Sequence, residues 1–331
     1  MAGGVASLKA CKSCMLVKYC NANCQRNHWP KHKKQCKQRA AELHAEALFK
    51  DPPPKEDCPI CFLPMPEKMI NCMSFPPATI TSVPVNDYAL TNVELAGWST
   101  RHYNPCCGKG ICAGCVYSIR KGNNKKCPFC KAERVGKTGE DTIKELMKRV
   151  EANDAVAICE VANFYYHGNL PGLQQDQAKG IELWTKAVAL GSSYAHCLLG
   201  NVYREGGDSK KTKFHMEAAA MAGYDVERCN LGTLEAQSGN MGRAVMHWKI
   251  AASTGNHAAM QNMKIAFNQG HGVSRDALNS TLIAYNNYCD EMRSVARDAA
   301  IREHIEKGRA PYSSIPQPDE AWRNRQKSQM N

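Results

Sequence analysis

Hydrophobic side chains recur at helical spacing over the second half of the 331-residue chain. In DTIKELMKRV the apolar positions lie three and four residues apart, at Ile143, Leu146, Met147 and Val150. The pattern predicts a helix-rich region at residues 138–308. Upstream, KQRAAELHAEALFK predicts a helix at 37–50, and the proline-rich DPPPKED ends it, so that residues 38–57 are a helix and a linker.

The helix-rich region repeats one pattern four times. EVANFYYHG, LLGNVYREG, NLGTLEAQSG and NMKIAFNQG align at spacings of 38, 32 and 32 residues, on Val161, Leu199, Leu231 and Met263. In the helical runs that follow the first three copies, one register holds Trp184, Met216 and Trp248, and another holds Ala187, Ala219 and Ala251. Large side chains facing small ones let paired helices pack closely. The sequence therefore predicts a mainly α fold, an α-solenoid of stacked helix pairs.

Cysteine usage indicates bound metal. Fourteen of the eighteen cysteines precede residue 131, mostly in closely spaced pairs. The chain shows no signal peptide and no run long enough to cross a bilayer, which predicts an intracellular protein, cytoplasmic or nuclear, without a membrane partner. In that setting paired thiols indicate metal rather than disulfides. Three later cysteines share one register of the repeats and are predicted core residues: Cys159, Cys197 and Cys229.

The net charge of +12 is unevenly placed: residues 1–50 hold ten Lys and Arg against two Asp and Glu, including the run KHKKQCKQR. Such a short run predicts a solvated helix face, and the alternative is contact with an acidic partner or nucleic acid. No base-reading motif accompanies the charge, so protein partners are favoured over nucleic acid. No Ser/His/Asp or phosphate-loop pattern is present, so the sequence predicts no hydrolytic site.

The second cysteine group, at residues 58–131, holds four pairs of thiols: CPIC, CC, CAGC and CPFC. Two tetrahedral zinc ions can be held by sequential or by interleaved pairs, and the spacing alone leaves both open. The order of the motifs resembles a RING finger. That resemblance implies interleaving, in which one Zn²⁺ is bound by Cys58, Cys61, Cys112 and Cys115, and the other by Cys106, Cys107, Cys127 and Cys130.

Two features depart from the RING pattern. Lys109 stands where the family usually has a histidine ligand, so the adjacent Cys106 and Cys107 would both serve, and Cys72 or His102 is an alternative to one of them. The spacing between the first two pairs is also long, which predicts an insertion at about residues 62–105.

RING fingers act chiefly as ubiquitin ligases that bind a ubiquitin-conjugating enzyme. The resemblance places Ile60 and Pro128 at the apolar positions of that contact. Lys131 stands where active ligases often use arginine, and it keeps the charge but not the planar fork. The resemblance therefore leaves two interpretations open, a ubiquitin ligase and an interaction module without catalysis.

The first segment, CKSCMLVKYCNANCQRNHWPKHKKQC, resembles a MYND finger over residues 1–37. The resemblance implies one complete zinc site, from Cys11, Cys14, His32 and Cys36. It leaves Cys20 and Cys24 as a pair of ligands whose partners are missing, so the finger is predicted to be incomplete unless His28 and another group contribute. MYND fingers bind short proline-containing peptides, and the resemblance assigns Gln25 and Trp29 to the peptide groove.

The repeats resemble the Sel1 family, relatives of the tetratricopeptide repeat, through the motif L-G-x-x-Y-x-x-G at Leu199, Gly200, Tyr203 and Gly206. Such repeats present a surface to a protein client. Residues 309–331 predict a disordered tail. Taken together, the sequence predicts an intracellular zinc-binding adaptor, with a RING-type ubiquitin ligase as the alternative.

Overall fold

A computed structural model describes residues 8–19, 21–65, 101–134, 139–168, 174–292 and 294–306. The chain divides into two compact units, Met1–Asp51 and Pro52–Asn331. Among the described helices, none has the length and apolar character needed to cross a membrane. The predicted tail at 309–331 lies outside the described residues.

The first unit is a short hairpin followed by a long helix. Strands β1 (Lys9–Ala10) and β2 (Lys18–Tyr19) pair antiparallel, and helix α1 spans Ala22–Leu48. Asn21 caps α1 by accepting a hydrogen bond from the backbone N–H of Cys24 at 2.9 Å. The helix predicted from residue 37 therefore begins fifteen residues earlier and continues through Pro30. Pro30 removes one backbone hydrogen bond from the helix. The Asn21 cap and the burial of His32 and Cys36 on one face stabilise the helix by more than that loss.

The second unit begins with a small cysteine-rich module, residues 58–65 and 101–134, called here the second module. Strands β3 (Arg101–Asn104) and β4 (Lys109–Cys112) pair antiparallel, and helix α2 (Ala113–Lys121) follows directly. The predicted insertion at 62–105 includes residues at both ends that belong to the module itself. Leu63 accepts a hydrogen bond from the backbone of Cys58, and β3 belongs to the hairpin of the module.

In the described part of the second unit, ten helices follow the module: α3 (Gly139–Glu151), α4 (Ala155–His167), α5 (Gln177–Ala189), α6 (Ser193–Glu205), α7 (Ser209–Met221), α8 (Asp225–Gln237), α9 (Met241–Ser253), α10 (His257–Asn268), α11 (Arg275–Glu291) and α12 (Val295–Glu306). Helices α4 and α5, α6 and α7, and α8 and α9 form pairs, and each pair packs on the next. Side-chain caps begin many of them, for example Asp154, Asp176, Ser192 and Asp208. The predicted mainly α fold of stacked helix pairs is confirmed.

The core of the helix pairs sets bulky side chains against small ones. Trp184 and Trp248 are almost completely buried, as are the alanines of the neighbouring register. Gly232 on α8 lies so close to Trp248 on α9 that an added Cβ would stand 2.6 Å from the indole. The cysteines predicted as core residues, Cys159, Cys197 and Cys229, are all buried. Met147, which the helical pattern placed on the buried face, is 40 % exposed because it lies next to the buried Leu146 and so off the centre of that face.

The second module contacts the first and the last helices of the helical region. The Tyr103 hydroxyl on β3 donates to Asp154 Oδ2 at 2.6 Å, and the other oxygen of this carboxylate caps α4. On the other side, α2 packs against α12. The module and the helix pairs therefore share one packed structure.

Candidate metal centres

Three of the C-x2-C motifs fold into the same tight turn. In each, the backbone N–H of the first cysteine donates to a carbonyl beyond the second, and the residue after the second cysteine donates back to the first, at 2.7–3.1 Å. That residue takes a left-handed conformation, at Met15 (φ 58°), Phe62 (φ 55°) and Lys131 (φ 62°). A non-glycine residue held there costs about 1–3 kcal/mol, and such strain concentrates at functional sites. The turn aims both sulfur atoms of a motif at one point.

Among the residues that the structure describes, twelve ligand atoms come together in three groups. In each group one atom from each of four residues lies within 4.8 Å of the others. Site 1 contains Cys11, Cys14, His32 and Cys36; site 2 contains Cys58, Cys61, Cys112 and Cys115; site 3 contains Cys106, Cys107, Cys127 and Cys130. The pairs of the second module are thus interleaved in space, the arrangement that the resemblance to a RING finger implied.

The distances between the sulfur atoms match tetrahedral zinc. A Zn–S bond of about 2.3 Å requires ligand sulfurs about 3.8 Å apart at tetrahedral angles. The Sγ atoms of Cys11 and Cys36 are 3.7 Å apart, and those of Cys58 and Cys115 are 3.8 Å apart. In site 3, Cys107 and Cys127 approach to 3.7 Å. These separations are much longer than a disulfide bond of about 2.05 Å and place each sulfur at the edge of a metal-sized space.

Charge also favours a cation at each centre. In site 1, hydrogen bonding to His32 and to backbone N–H groups lowers the pKa of Cys11 to about 6, whereas burial and the neighbouring thiols raise that of Cys36 to about 11. In site 2, burial opposes ionisation of Cys58, but backbone donors outweigh it and lower its pKa to about 7. Burial raises the pKa of Cys115. Ionisation of one thiol therefore disfavours ionisation of the next, and a bound divalent cation offsets the repulsion between the thiolates.

Helix α1 supplies half of site 1. His32 and Cys36 are four residues apart and so lie on one face, and His32 Nε2 is 3.2 Å from Cys14 Sγ. His28, the predicted additional ligand, stacks on the His32 ring, and its Nδ1 is 3.0 Å from the Tyr19 hydroxyl. Cys24 is exposed and belongs to none of the three groups, and Cys20 lies outside the described residues.

In site 3 the adjacent Cys106 and Cys107 both face the metal position. Two sets of hydrogen bonds stabilise their turn. The Asn104 carbonyl accepts from the backbone N–H groups of Cys107 and Gly108, and Arg149 on α3 donates to the Cys106 carbonyl at 3.3 Å. This support explains how two consecutive residues reach one ion.

Of the two predicted substitutes for a site 3 cysteine, the described one, His102, does not join the group. His102 is exposed, with Nε2 3.4 Å from Arg134, and Cys72 lies outside the described residues. Lys109 extends its ammonium over the Phe129 ring, 5.0 Å from the centroid, and so stabilises the CPFC turn without acting as a ligand.

The predicted partner-binding residues lie around these turns. Gln25 and Trp29 are exposed on α1, and the Trp29 ring contacts that of His32 with centroids 6.3 Å apart. Ile60 is 37 % exposed in the CPIC turn, and Pro128 is half-buried in the CPFC turn. The Lys131 ammonium folds back to donate to the Pro128 carbonyl at 3.0 Å.

Comparison with known families decides the nature of the first finger. The family model of the MYND finger matches residues 3–36. The recognition of this segment as a MYND finger is confirmed. The MYND finger is a zinc-binding domain, so the prediction of zinc as cofactor is confirmed as well. No curated protein sequence matches the chain.

Solved structures similar to the chain include Sel1 repeat proteins. A Sel1 repeat protein from Oxalobacter formigenes is 20 % identical, with 69 % of this chain and 89 % of that chain covered and a TM-score of 0.41. The protective antigen c5321 of uropathogenic Escherichia coli, which displays an SLR fold, is 20 % identical over 65 % of this chain and 47 % of its own, with a TM-score of 0.37. The immunity protein Pa5087 from Pseudomonas aeruginosa is 18 % identical over 65 % and 80 %, with a TM-score of 0.35.

Proposed function

We propose that the chain is a zinc-dependent adaptor that joins protein partners through the MYND finger, the second module and the helix pairs. The zinc ions are structural, because each four-residue group leaves no open position for a substrate. The observation that carries the proposal is the exposure of Gln25 and Trp29 beside site 1.

Trp29 has the properties of a binding anchor. Its side chain is 40 % exposed, although an indole gains free energy when it is buried. Gln25 and Trp29 are four residues apart on α1 and therefore occupy one helix face. His32 follows on the same side as a ligand of site 1, so the metal would hold this face rigid and reduce the entropy cost of binding. Tryptophan is also among the commonest residues at binding hot spots.

Replacing Trp29 with alanine is expected to weaken binding of a short proline-containing peptide by about 30-fold, the effect of losing a hot-spot contact of about 2 kcal/mol. The measurement is fluorescence polarisation of the tightest binder found in an array of labelled proline-containing nonapeptides. Asn27→Ala changes an exposed residue on another side of the same helix and should leave the affinity unchanged.

Circular dichroism and zinc content verify that both variants are folded. Binding of no peptide by the wild-type chain, or equal affinity of wild type and Trp29→Ala, would contradict a peptide-binding role for this face.

A RING-type ubiquitin ligase is the second candidate. The observation that favours it is the exposed apolar surface of the CPIC turn, where Ile60 is 37 % and Phe62 is 76 % exposed. Against it, the Lys131 ammonium is engaged with its own turn at the Pro128 carbonyl. Lysine also lacks the planar fork with which an arginine would make two hydrogen bonds at once.

The adaptor interpretation predicts no ubiquitin chains when the zinc-loaded protein is incubated with activating enzyme, ubiquitin and a panel of conjugating enzymes. Anti-ubiquitin blotting provides the measurement. Chains that form with the wild type and disappear with Ile60→Ala would instead establish the ligase. Lys126→Ala, an exposed change outside the CPIC turn, is the matched control.

A further inference from the structure

Arg297 is a buried cation on the last helix. Its side chain is 6 % exposed, and its guanidinium reaches from α12 into the CPIC turn of the second module. One terminal nitrogen donates to the Met292 carbonyl at 2.9 Å. The other lies 2.9 Å from the Pro64 carbonyl, 3.4 Å from the Leu63 carbonyl and 3.9 Å from Cys61 Sγ. Its Nε is buried without a hydrogen-bond partner.

The described hydrogen-bond partners of Arg297 do not include a carboxylate. Among the residues that the structure describes, its hydrogen-bond acceptors are three carbonyls and one sulfur. An arginine stays charged in proteins, and burying such a charge without an anion is unfavourable. The guanidinium lies beside site 2, 3.9 Å from Cys61 Sγ, and a zinc ion bound there by four thiolates would carry a net charge of about −2.

The helix that bears Arg297 is held closely against the module. At Gly114 on α2, an added Cβ would stand 2.8 Å from the backbone nitrogen of Arg297, so the two helix backbones meet there without a side chain between them. At the periphery, Arg120 on α2 and Glu303 on α12 form an ion pair at 3.7 Å. Near the contact of α2 with α12, Arg297 is therefore a buried cation that faces site 2. In contrast, Arg120 is partly exposed, and Glu303 balances its charge.

We propose that Arg297 is a positioning residue for zinc at site 2, and that bound zinc and docked α12 stabilise each other through its charge. The inference rests on the proposed zinc-dependent function. A cation beside a tetrathiolate centre lowers the free energy of the loaded site, and the anionic centre in turn offsets the burial of the guanidinium. By linkage, the affinity of site 2 for zinc depends on the docking of α12, and the docking of α12 depends on zinc.

The test is the rate of zinc release from the full chain to a chromogenic chelator. Cys115→Ser identifies the kinetic phase of site 2 as the one it abolishes. Arg297→Gln keeps an amide donor for the carbonyls but removes the charge, and it should release the site 2 zinc about 10- to 100-fold faster than wild type. The zinc ions of sites 1 and 3 should leave at the wild-type rate.

Two further variants separate charge from packing. Arg297→Lys retains the charge and should stay within about threefold of wild type, the residual reflecting the lost fork. Arg120→Met removes the described ion pair between α2 and α12 and should not change release. Circular dichroism verifies folding. If Arg297→Gln does not fold, Arg297→Lys alone decides: release within about threefold of wild type supports the role of the charge, and release tenfold faster overturns it.

The outcomes distinguish this inference from the proposed function. A wild-type chain whose zinc content does not fall with Cys115→Ser has no zinc at site 2, and the proposed function then fails at this centre. A loaded site 2 from which Arg297→Gln releases zinc at the wild-type rate overturns the inference alone. Equal acceleration by Arg297→Gln and Arg120→Met would assign the effect to helix packing and overturn it as well.

Discussion

Replacing Cys58 with serine is expected to remove one of three zinc ions per chain, the one at site 2, and to destabilise the part of the second module that packs around this site. Cys58 is fully buried, and its sulfur accepts a hydrogen bond from the backbone N–H of Cys112 at 3.5 Å across the interleaved pairs. Structural zinc contributes about 10 kcal/mol or more of apparent folding free energy, which is as large as the whole stability of many domains. The module has few other means of support, since its buried apolar cluster consists mainly of the ligands themselves, with Met65 and Ile111.

Zinc per chain by elemental analysis and native mass spectrometry checks the prediction, and resistance to proteolysis reports the folding of the module. The wild type should hold three zinc ions and Cys58→Ser two. The matched control is the double variant Cys20→Ser, Cys24→Ser, which removes two cysteines that belong to no predicted complete site and should still hold three. A count of four in the wild type that falls to three in this control would show that the pair binds metal together with further groups.

Much of the candidate site could be predicted from sequence because metal ligation imposes a local spacing. A C-x2-C motif requires a tight turn, so the paired cysteines could be recognised from their spacing. His32 and Cys36 were assigned through the resemblance to a MYND finger, and the structure adds the helix on which they share one face. The interleaving of the pairs followed from the resemblance to a RING finger, since spacing alone allowed two arrangements. For site 3 the sequence predicted Cys106 and Cys107, with Cys72 or His102 as an alternative to one of them, and the structure groups both adjacent cysteines on a turn that α3 supports.

The helix pairs could be predicted for a different reason. Their pattern repeats, and each copy of a register supports the assignment of the others, as with Trp184, Met216 and Trp248. The start of α1 was missed because the ligand-rich sequence around Pro30 lacks an apolar periodicity. Its signal was local, in the Asn21 cap.

Contacts over long sequence distances had no sequence signal. Arg297 is 236 residues from Cys61, and nothing in its own segment distinguishes it from an exposed arginine on a helix. Asp154 likewise accepts a hydrogen bond from Tyr103 of the second module, a contact that its own segment does not indicate. Such residues are selected by tertiary packing, which local pattern does not report.

Gly232→Ala is expected to destabilise the helix pairs, whereas the equivalent change Gly200→Ala is not. The two glycines follow the aligned Leu231 and Leu199 and face the large register of the next helix. An added Cβ at Gly232 would stand 2.6 Å from the Trp248 ring and 3.1 Å from the Ala244 carbonyl, and at Gly200 the nearest atom, in Met216, is 3.5 Å away. Overpacking a rigid indole costs about 1–3 kcal/mol, which exceeds the gain of about 1 kcal/mol that alanine brings to a helix over glycine.

Urea denaturation followed by circular dichroism measures both changes, with the free energy of unfolding expected to fall for Gly232→Ala and to stay equal or rise for Gly200→Ala. Trp248→Ala alone should cost about 3–5 kcal/mol, since it leaves a cavity where the indole was buried. Trp248→Met reproduces the pairing of Met216 with Gly200, which leaves room for an added Cβ. The loss of unfolding free energy caused by Trp248→Met should therefore be smaller when residue 232 is already alanine than when it is glycine. A double-mutant cycle measures that coupling. Two results would contradict this account: equal effects of the two glycine changes, or additive effects of Gly232→Ala and Trp248→Met. Either would mean that the packing of α8 on α9 does not depend on the close approach of the Trp248 ring to Gly232.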